Sequence, residues 1–147
     1  MCKRAHAAFD GEGARAAGGR WNEAGTAVVY TSATLALAAL ECLVHFDMAE
    51  APDDLVSMEA GIPASVRMTE IVEDDLPDDW RQYPAPAELA RLGTAWVDGG
   101  NPAVLAVPSA VIPSERNYLL NPSHRDFGRI RIGVLRPFVF DARLRRP

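Results

Sequence analysis

Gly18-Gly19-Arg20-Trp21-Asn22 leads into Ala27-Val28-Val29-Tyr30 and then into Thr34 to Phe46, the stretch that carries Glu41. Two adjacent glycines let the backbone turn through positive φ or approach a ligand closely. Here they deliver a guanidinium, an indole and an amide within three residues. Val, Tyr and Thr after Gly25 suit a pleated surface, so residues 25–31 read as a strand ending near Tyr30. Ser32 or Thr34 then caps a helix by accepting from a free backbone N–H, and Leu, Ala and Glu fill residues 35–41 with good helix formers. Leu37, Leu40 and Val44 follow the spacing of a buried stripe, with Glu41 at its edge. A cation, an aromatic ring and a carboxylate therefore come from three successive elements. Such a set suits holding an anion, stacking a flat ring and stabilising a developing positive charge. Glu41 has a plainer reading too, as a boundary residue paired with His45 or an arginine.

The chain of 147 residues fits one domain with one core. Its 48% hydrophobic and 24% charged residues are near the globular average and argue against disorder of the whole chain. A net charge of -5 argues against general affinity for nucleic acid or anionic membrane, with a local basic patch from Arg125 to Arg131 the exception. Cys2 and Cys42 do not make a secreted disulfide framework, and neither a signal peptide nor a membrane-spanning run stands out. A soluble cytoplasmic protein is the expectation.

Outward from the central stretch, residues 1–20 are rich in small residues and glycine and read as extended or looped, with Arg4, taken by itself, a solvated surface charge. Residues 55–62 read as a strand ending at Pro63, and Ile71-Val72 extends another. Residues 73–86, with Pro77, Pro84 and Pro86, form a surface connection anchored by Trp80. Residues 87–97 read as a helix, stopped by Asp98-Gly99-Gly100-Asn101-Pro102. Residues 103–113 have the composition of a buried strand, but Pro108 and Pro113 confine it to an edge or a bulge, with Ser109 at the break. Asn117 and Asn121 read as turn or cap formers. Ile130, Ile132 and Val134 alternate with Arg129, Arg131 and Gly133 as a two-faced strand, followed by Phe138-Val139-Phe140.

Several chemistries lack their motifs. No GxGxxG follows a strand, no phosphate loop is present, and no GxSxG surrounds Ser109. His6, His45 and His124 are scattered without metal-ligand spacing, so nothing requires a metal.

The ordered series Gly11-Glu12-Gly13-Ala14, Gly18-Gly19-Arg20-Trp21-Asn22, Val29-Tyr30-Thr31-Ser32, Leu37-Ala38 with Glu41 and His45, Val107-Pro108-Ser109, and Asn117 to Pro122 with His124, Asp126 and Phe127 resembles the RES domain family across nearly the whole chain. In place of the His-Pro-Asp-Phe of many members stands His124-Arg125-Asp126-Phe127. The resemblance implies a single RES domain over residues 1–147, with an α+β fold like ADP-ribosyltransferases of the diphtheria-toxin type, a mixed β core with flanking helices. It implies the toxin of a type II toxin–antitoxin pair that consumes NAD+ as substrate by cleaving its nicotinamide–ribose bond, through hydrolysis or with phosphate as co-substrate. An Xre-type antitoxin is the implied partner. A mono-ADP-ribosyltransferase acting on a specific protein and a silent antitoxin-binding module are the alternatives. The family arginine falls on Arg20, its tyrosine on Tyr30, its glutamate on Glu41, and its serine on Ser109 or, second, Ser114. Arg20, Tyr30 and Glu41 are then catalytic. Arg4, Arg20, Tyr30 and Ser109 bind NAD, with Arg4 and Arg20 near the phosphates, and Ser109 either touches the dinucleotide or positions Glu41.

Overall fold

The computed structural model describes residues 1–47, 50–100 and 102–144. They form a mixed α+β structure in the order β1 (Cys2–Lys3), α1 (Glu12–Ala17), β2 (Val29–Ser32), α2 (Leu35–Leu43), β3 (Leu55–Ser57), β4 (Ala60–Gly61), β5 (Met68–Glu70), α3 (Ala87–Asp98), β6 (Val104–Pro108), β7 (Arg116–Leu120), β8 (Arg131–Ile132) and β9 (Arg136–Pro137). Asn101 of the expected helix stop lies outside the described residues.

The centre is a four-stranded sheet in the order β2-β7-β6-β5, antiparallel except for the parallel pair β5–β6. A smaller sheet, β1-β3-β9, and the pair β4–β8 complete the strands. Register assigns the two faces of the central sheet, because directly paired residues point the same way. Tyr30 and Ser32 on β2 pair with Leu119 and Asn117 on β7, which in turn pair with Leu105 and Val107 on β6. Leu105, Val107 and Leu119 join Trp21, Trp80, Leu89 and Trp96 in one core. The opposite face contributes Val29, Val104 and Leu120 to a second, with Val66 and Ile130.

Every residue of β6 is buried, because it lies between β5 and β7 with a core on each side. The prolines do not push it to an edge: Pro108 is its last residue, where a missing N–H interrupts little. Other expectations shift in similar ways. Residues 12–17 form a helix where a loop was expected, since Ala14 to Ala17 propagate it and Glu12 grips Arg15 at 2.7 Å. The strand expected over 25–31 begins only at Val29. Residues 55–62 split into β3 and β4, which belong to different sheets. The expected strand at 71–72 lies earlier, at 68–70, with the Ile71 N–H still donating to Ala106 O. The alternation at 130–134 is no single strand: Ile130 is buried, whereas Ile132 and Val134 are exposed on either side of the end of β8. Phe138 to Phe140 form no strand either, and cluster edge-on instead.

Helix α2 begins as its sequence dictates, with Thr34 Oγ1 accepting from the Leu37 N–H at 3.1 Å. Its expected apolar stripe is not buried as a whole. Leu37 is, but Leu40 and Val44 are exposed. Helix α3 matches the expected span within a residue and packs against Trp21 so closely that a Cβ on Gly93 would lie 1.8 Å from the Trp21 carbonyl oxygen.

Candidate active site

The glycine pair builds a tight turn. Gly19 and Asn22 bridge as an antiparallel pair, and Arg20 and Trp21 occupy the tip between them. Gly18 has φ +72°, which a residue with a side chain rarely adopts, and a Cβ on Gly19 would sit 2.8 Å from Tyr30 Oη. Tyr30 reaches back from β2 to this turn: its hydroxyl accepts from the Trp21 N–H at 3.0 Å and donates to Asn22 Oδ1 at 2.8 Å. The Asn22 amide in turn donates to the carbonyls of Ala14, Glu23 and Thr26. Burial of that hydroxyl pushes the Tyr30 pKa up to about 12, against the smaller opposing pulls of the Trp21 N–H and the Arg20 charge. Yet 38% of the residue as a whole is exposed, although its hydroxyl is paired on both sides.

Arg20 is half-buried, and its guanidinium donates to the carbonyls of Trp80 and Gln82. This fixes the 73–86 connection, whose Trp80 is buried as expected of an anchor. Desolvation lowers the Arg20 pKa, while the charge of Glu41 and the oxygen of Tyr30 raise it, so Arg20 lies within electrostatic reach of both.

Glu41, half-buried on α2, points at the end of the β6–β7 hairpin. Ser109 Oγ donates to Glu41 Oε1 at 2.6 Å, and Asn117 Nδ2 donates to the same oxygen at 2.5 Å. Ser109 is fully buried and its oxygen accepts from the N–H groups of Val111 and Ile112, which aims its proton at the carboxylate. Both donors thus clamp Oε1, and Oε2 receives no hydrogen bond from the described residues. His45, expected as a partner for Glu41, is exposed and takes no part, because the helix ends at Leu43. Ser114 lies exposed in the turn before β7.

Arg20, Tyr30, Glu41 and Ser109 therefore converge on one side of the central sheet. Arg4 does not join them; it is exposed, in a single 3-10 turn after β1. Asn117 is the residue that sequence reading missed. Composition marked it as a turn former, whereas it sits inside β7, and the usable signal was its place two residues before Leu119 on the face it shares with Tyr30. Asn121 is the turn former, its Oδ1 accepting from the Ser123 N–H.

A cleft of about 870 Å³ opens between the small sheet and β2. Cys2, Val56 and Arg136 line one side, and Tyr30, Thr31 and Ser32 line the other, with Thr34 and Ala38 from α2. Tyr30 is the residue common to the cleft and the arginine–carboxylate group. Among the described residues no group of His, Cys, Asp and Glu is placed to hold a metal ion, and no helix is long and apolar enough to cross a membrane.

The architecture and this group define an α+β protein with an arginine, a tyrosine and a clamped carboxylate gathered on one side of its central sheet, the tyrosine also lining an open cleft. Comparison with known proteins gives the class a family. The RES domain model matches residues 1–141, so the chain belongs to the RES domain family. It is 36% identical over 140 residues to the "Prs ADP-ribosylating toxin" of Sphingobium sp. (strain YBL2), covering 94% of this chain and 87% of that protein. It is 37% identical over 139 residues to the "Toxin Res" of Yersinia enterocolitica, covering 93% and 90%, and 36% identical over 145 residues to the "Toxin Res" of Photorhabdus laumondii, covering 97% and 91%.

Proposed function

We propose that the protein is a toxin that breaks the nicotinamide–ribose bond of NAD+, on a fold of the ADP-ribosyltransferase type, and that an Xre-type antitoxin restrains it. The observation that carries this reading is the Glu41 carboxylate. One of its oxygens is locked by Ser109 and Asn117, the other accepts nothing from the described residues, and the carboxylate charge reaches the Arg20 guanidinium. As the bond from ribose C1′ to the nicotinamide nitrogen lengthens, the electron pair leaves with neutral nicotinamide and positive charge grows on the sugar. A fixed carboxylate, already oriented, stabilises that charge without reorganising. Its free Oε2 also accepts from a hydroxyl of the same ribose.

Arg20 supplies the anion site. A guanidinium has five N–H donors and the two carbonyls take one each, leaving three for the pyrophosphate. Tyr30, which lines the cleft, offers its ring as a stacking partner to nicotinamide. Ser109 acts as a positioning residue for Glu41, since it is buried behind the carboxylate. Exposure on a separate turn leaves Arg4 to touch a ligand only at the rim. At about 870 Å³ the cleft has the size of a dinucleotide site.

Nicotinamide release from NAD+ by the purified protein, with and without phosphate, tests the reading beside Glu41→Gln. Glutamine keeps an oxygen to accept from Ser109 and Asn117 but lacks the charge. Turnover should fall at least about a hundredfold, consistent with the electrostatic share of such catalysis, with the melting temperature little changed. A fully active Glu41→Gln enzyme removes the carboxylate from the mechanism. A phosphate requirement identifies phosphorolysis. A second reading, transfer of ADP-ribose to a protein, is favoured by the printed name of the Sphingobium relative, and label from NAD+ accumulating on a protein instead of as free ADP-ribose distinguishes it.

A further inference from the structure

Asn117 has one unused end. Its Nδ2 is spent on Glu41 Oε1, while its Oδ1 is buried and has no hydrogen-bond partner among the described residues. The other described asparagines contrast with it: Asn22 and Asn121 use both ends of their amides. A buried acceptor left unpaired costs free energy and calls for an explanation. The amide cannot relieve it by turning over, because that would set its oxygen against Glu41 Oε1 and withdraw one of the two donors that hold the carboxylate. The orphan oxygen is therefore a built consequence of clamping Glu41.

Beside it stands a second open acceptor. Ser109 and Asn117 both donate to Oε1, so Glu41 Oε2 is free, and it is one carboxylate width from the Oε1–Nδ2 contact just as Oδ1 is one amide width from it. Oδ1 and Oε2 are thus two open acceptors tied to each other through one hydrogen bond. Asn117 also shares its sheet face with Tyr30, as a diagonal cross-strand neighbour, which sets the pair of acceptors on the side where the arginine and tyrosine gather. We infer that Asn117 Oδ1 is a substrate contact, and that Glu41 and Asn117 together read the vicinal cis-diol of the ribose, each accepting from one hydroxyl. The inference rests on NAD+ being the substrate.

Two NAD+ analogues, lacking the 2′- or the 3′-hydroxyl of the nicotinamide ribose, test it through kcat/KM. Wild-type protein should lose about tenfold or more with either, since one loss strands the buried Asn117 oxygen and the other removes a hydrogen bond to the charged Glu41 carboxylate. In Asn117→Ala one of the two penalties should vanish to within about twofold of NAD+ while the other persists. Ser109→Ala removes a donor to Glu41 without touching Oδ1, so it should slow turnover and keep both penalties. Wild-type protein that accepts either analogue as well as NAD+ overturns the inference, without need of a variant. Both penalties persisting in a folded Asn117→Ala overturn it as well and leave the NAD+ reading standing. Wild-type protein that consumes no NAD+ overturns that reading and this inference with it.

Discussion

Tyr30 serves two structures at once. Its hydroxyl closes the turn that holds Arg20, and the residue also lines the cleft. Tyr30→Phe strands the Trp21 N–H and Asn22 Oδ1, which should cost about 1–3 kcal/mol of stability, read by denaturant unfolding. The raised pKa gives the same residue a pH signature. A tyrosine held at about 12 when folded and at its ordinary 10 when unfolded binds more protons in the native state between those values. Its contribution is therefore complete below pH 10 and is lost as pH rises through 12. Melting temperatures of wild type should fall more steeply across pH 10 to 12 than those of Tyr30→Phe; parallel curves would mean that the hydroxyl is not held as described. Arg20, Tyr30 and Glu41 could be singled out in sequence by residue type and by the RES-domain resemblance, and the structure places them on one side of the central sheet. Asn117 could not be, since an amide inside a strand resembles an amide in a turn until register puts it opposite Ser32 and beside a carboxylate.

At the level of elements, α3 is the backing on which the Arg20 turn rests. Thr94 Oγ1 accepts from the Glu23 N–H, and Gly93 admits the Trp21 carbonyl to the helix surface. By helix propensity alone Gly93→Ala would stabilise by about 1 kcal/mol. Here the added methyl would overlap the Trp21 carbonyl, so the variant should lower the melting temperature and, by displacing the turn, raise KM for NAD+ more than it lowers kcat. An unchanged or higher melting temperature would show that the helix and turn are not in contact. Helices α2 and α3 could be read from propensity and capping, and Thr34 caps as expected. The strands were harder. Pro108 and Pro113 pointed to an edge, but β6 owes its central place to partners at residues 68–70 and 116–120, which no local window contains. The exposed Leu40 and Val44 follow from the same cause: helical period says which residues share a face, and tertiary packing decides whether anything covers it.

For the molecule as a whole, two cores on opposite faces of one sheet leave the cleft beside β2 as the open space between the two sheets. A ligand there binds the native state alone and stabilises it by mass action. ADP-ribose at a hundred times its dissociation constant should add about 2.7 kcal/mol. Thermal shift measurements should show that gain, and it should shrink in Arg20→Ala; no shift in wild type with ADP-ribose in large excess would mean that the native state does not bind it. The β2 strand has a single neighbour in its sheet, β7, and the donors to Glu41 lie at positions 109 and 117. Arg20, Tyr30 and Glu41 leave the ribosome early, but a nascent chain halted before residue 116 has no strand to support Tyr30 and only one of the two groups that orient the carboxylate. The proposed activity thus depends on residues far along the chain from the arginine, tyrosine and carboxylate, and fragments that stop before residue 116 should lack it.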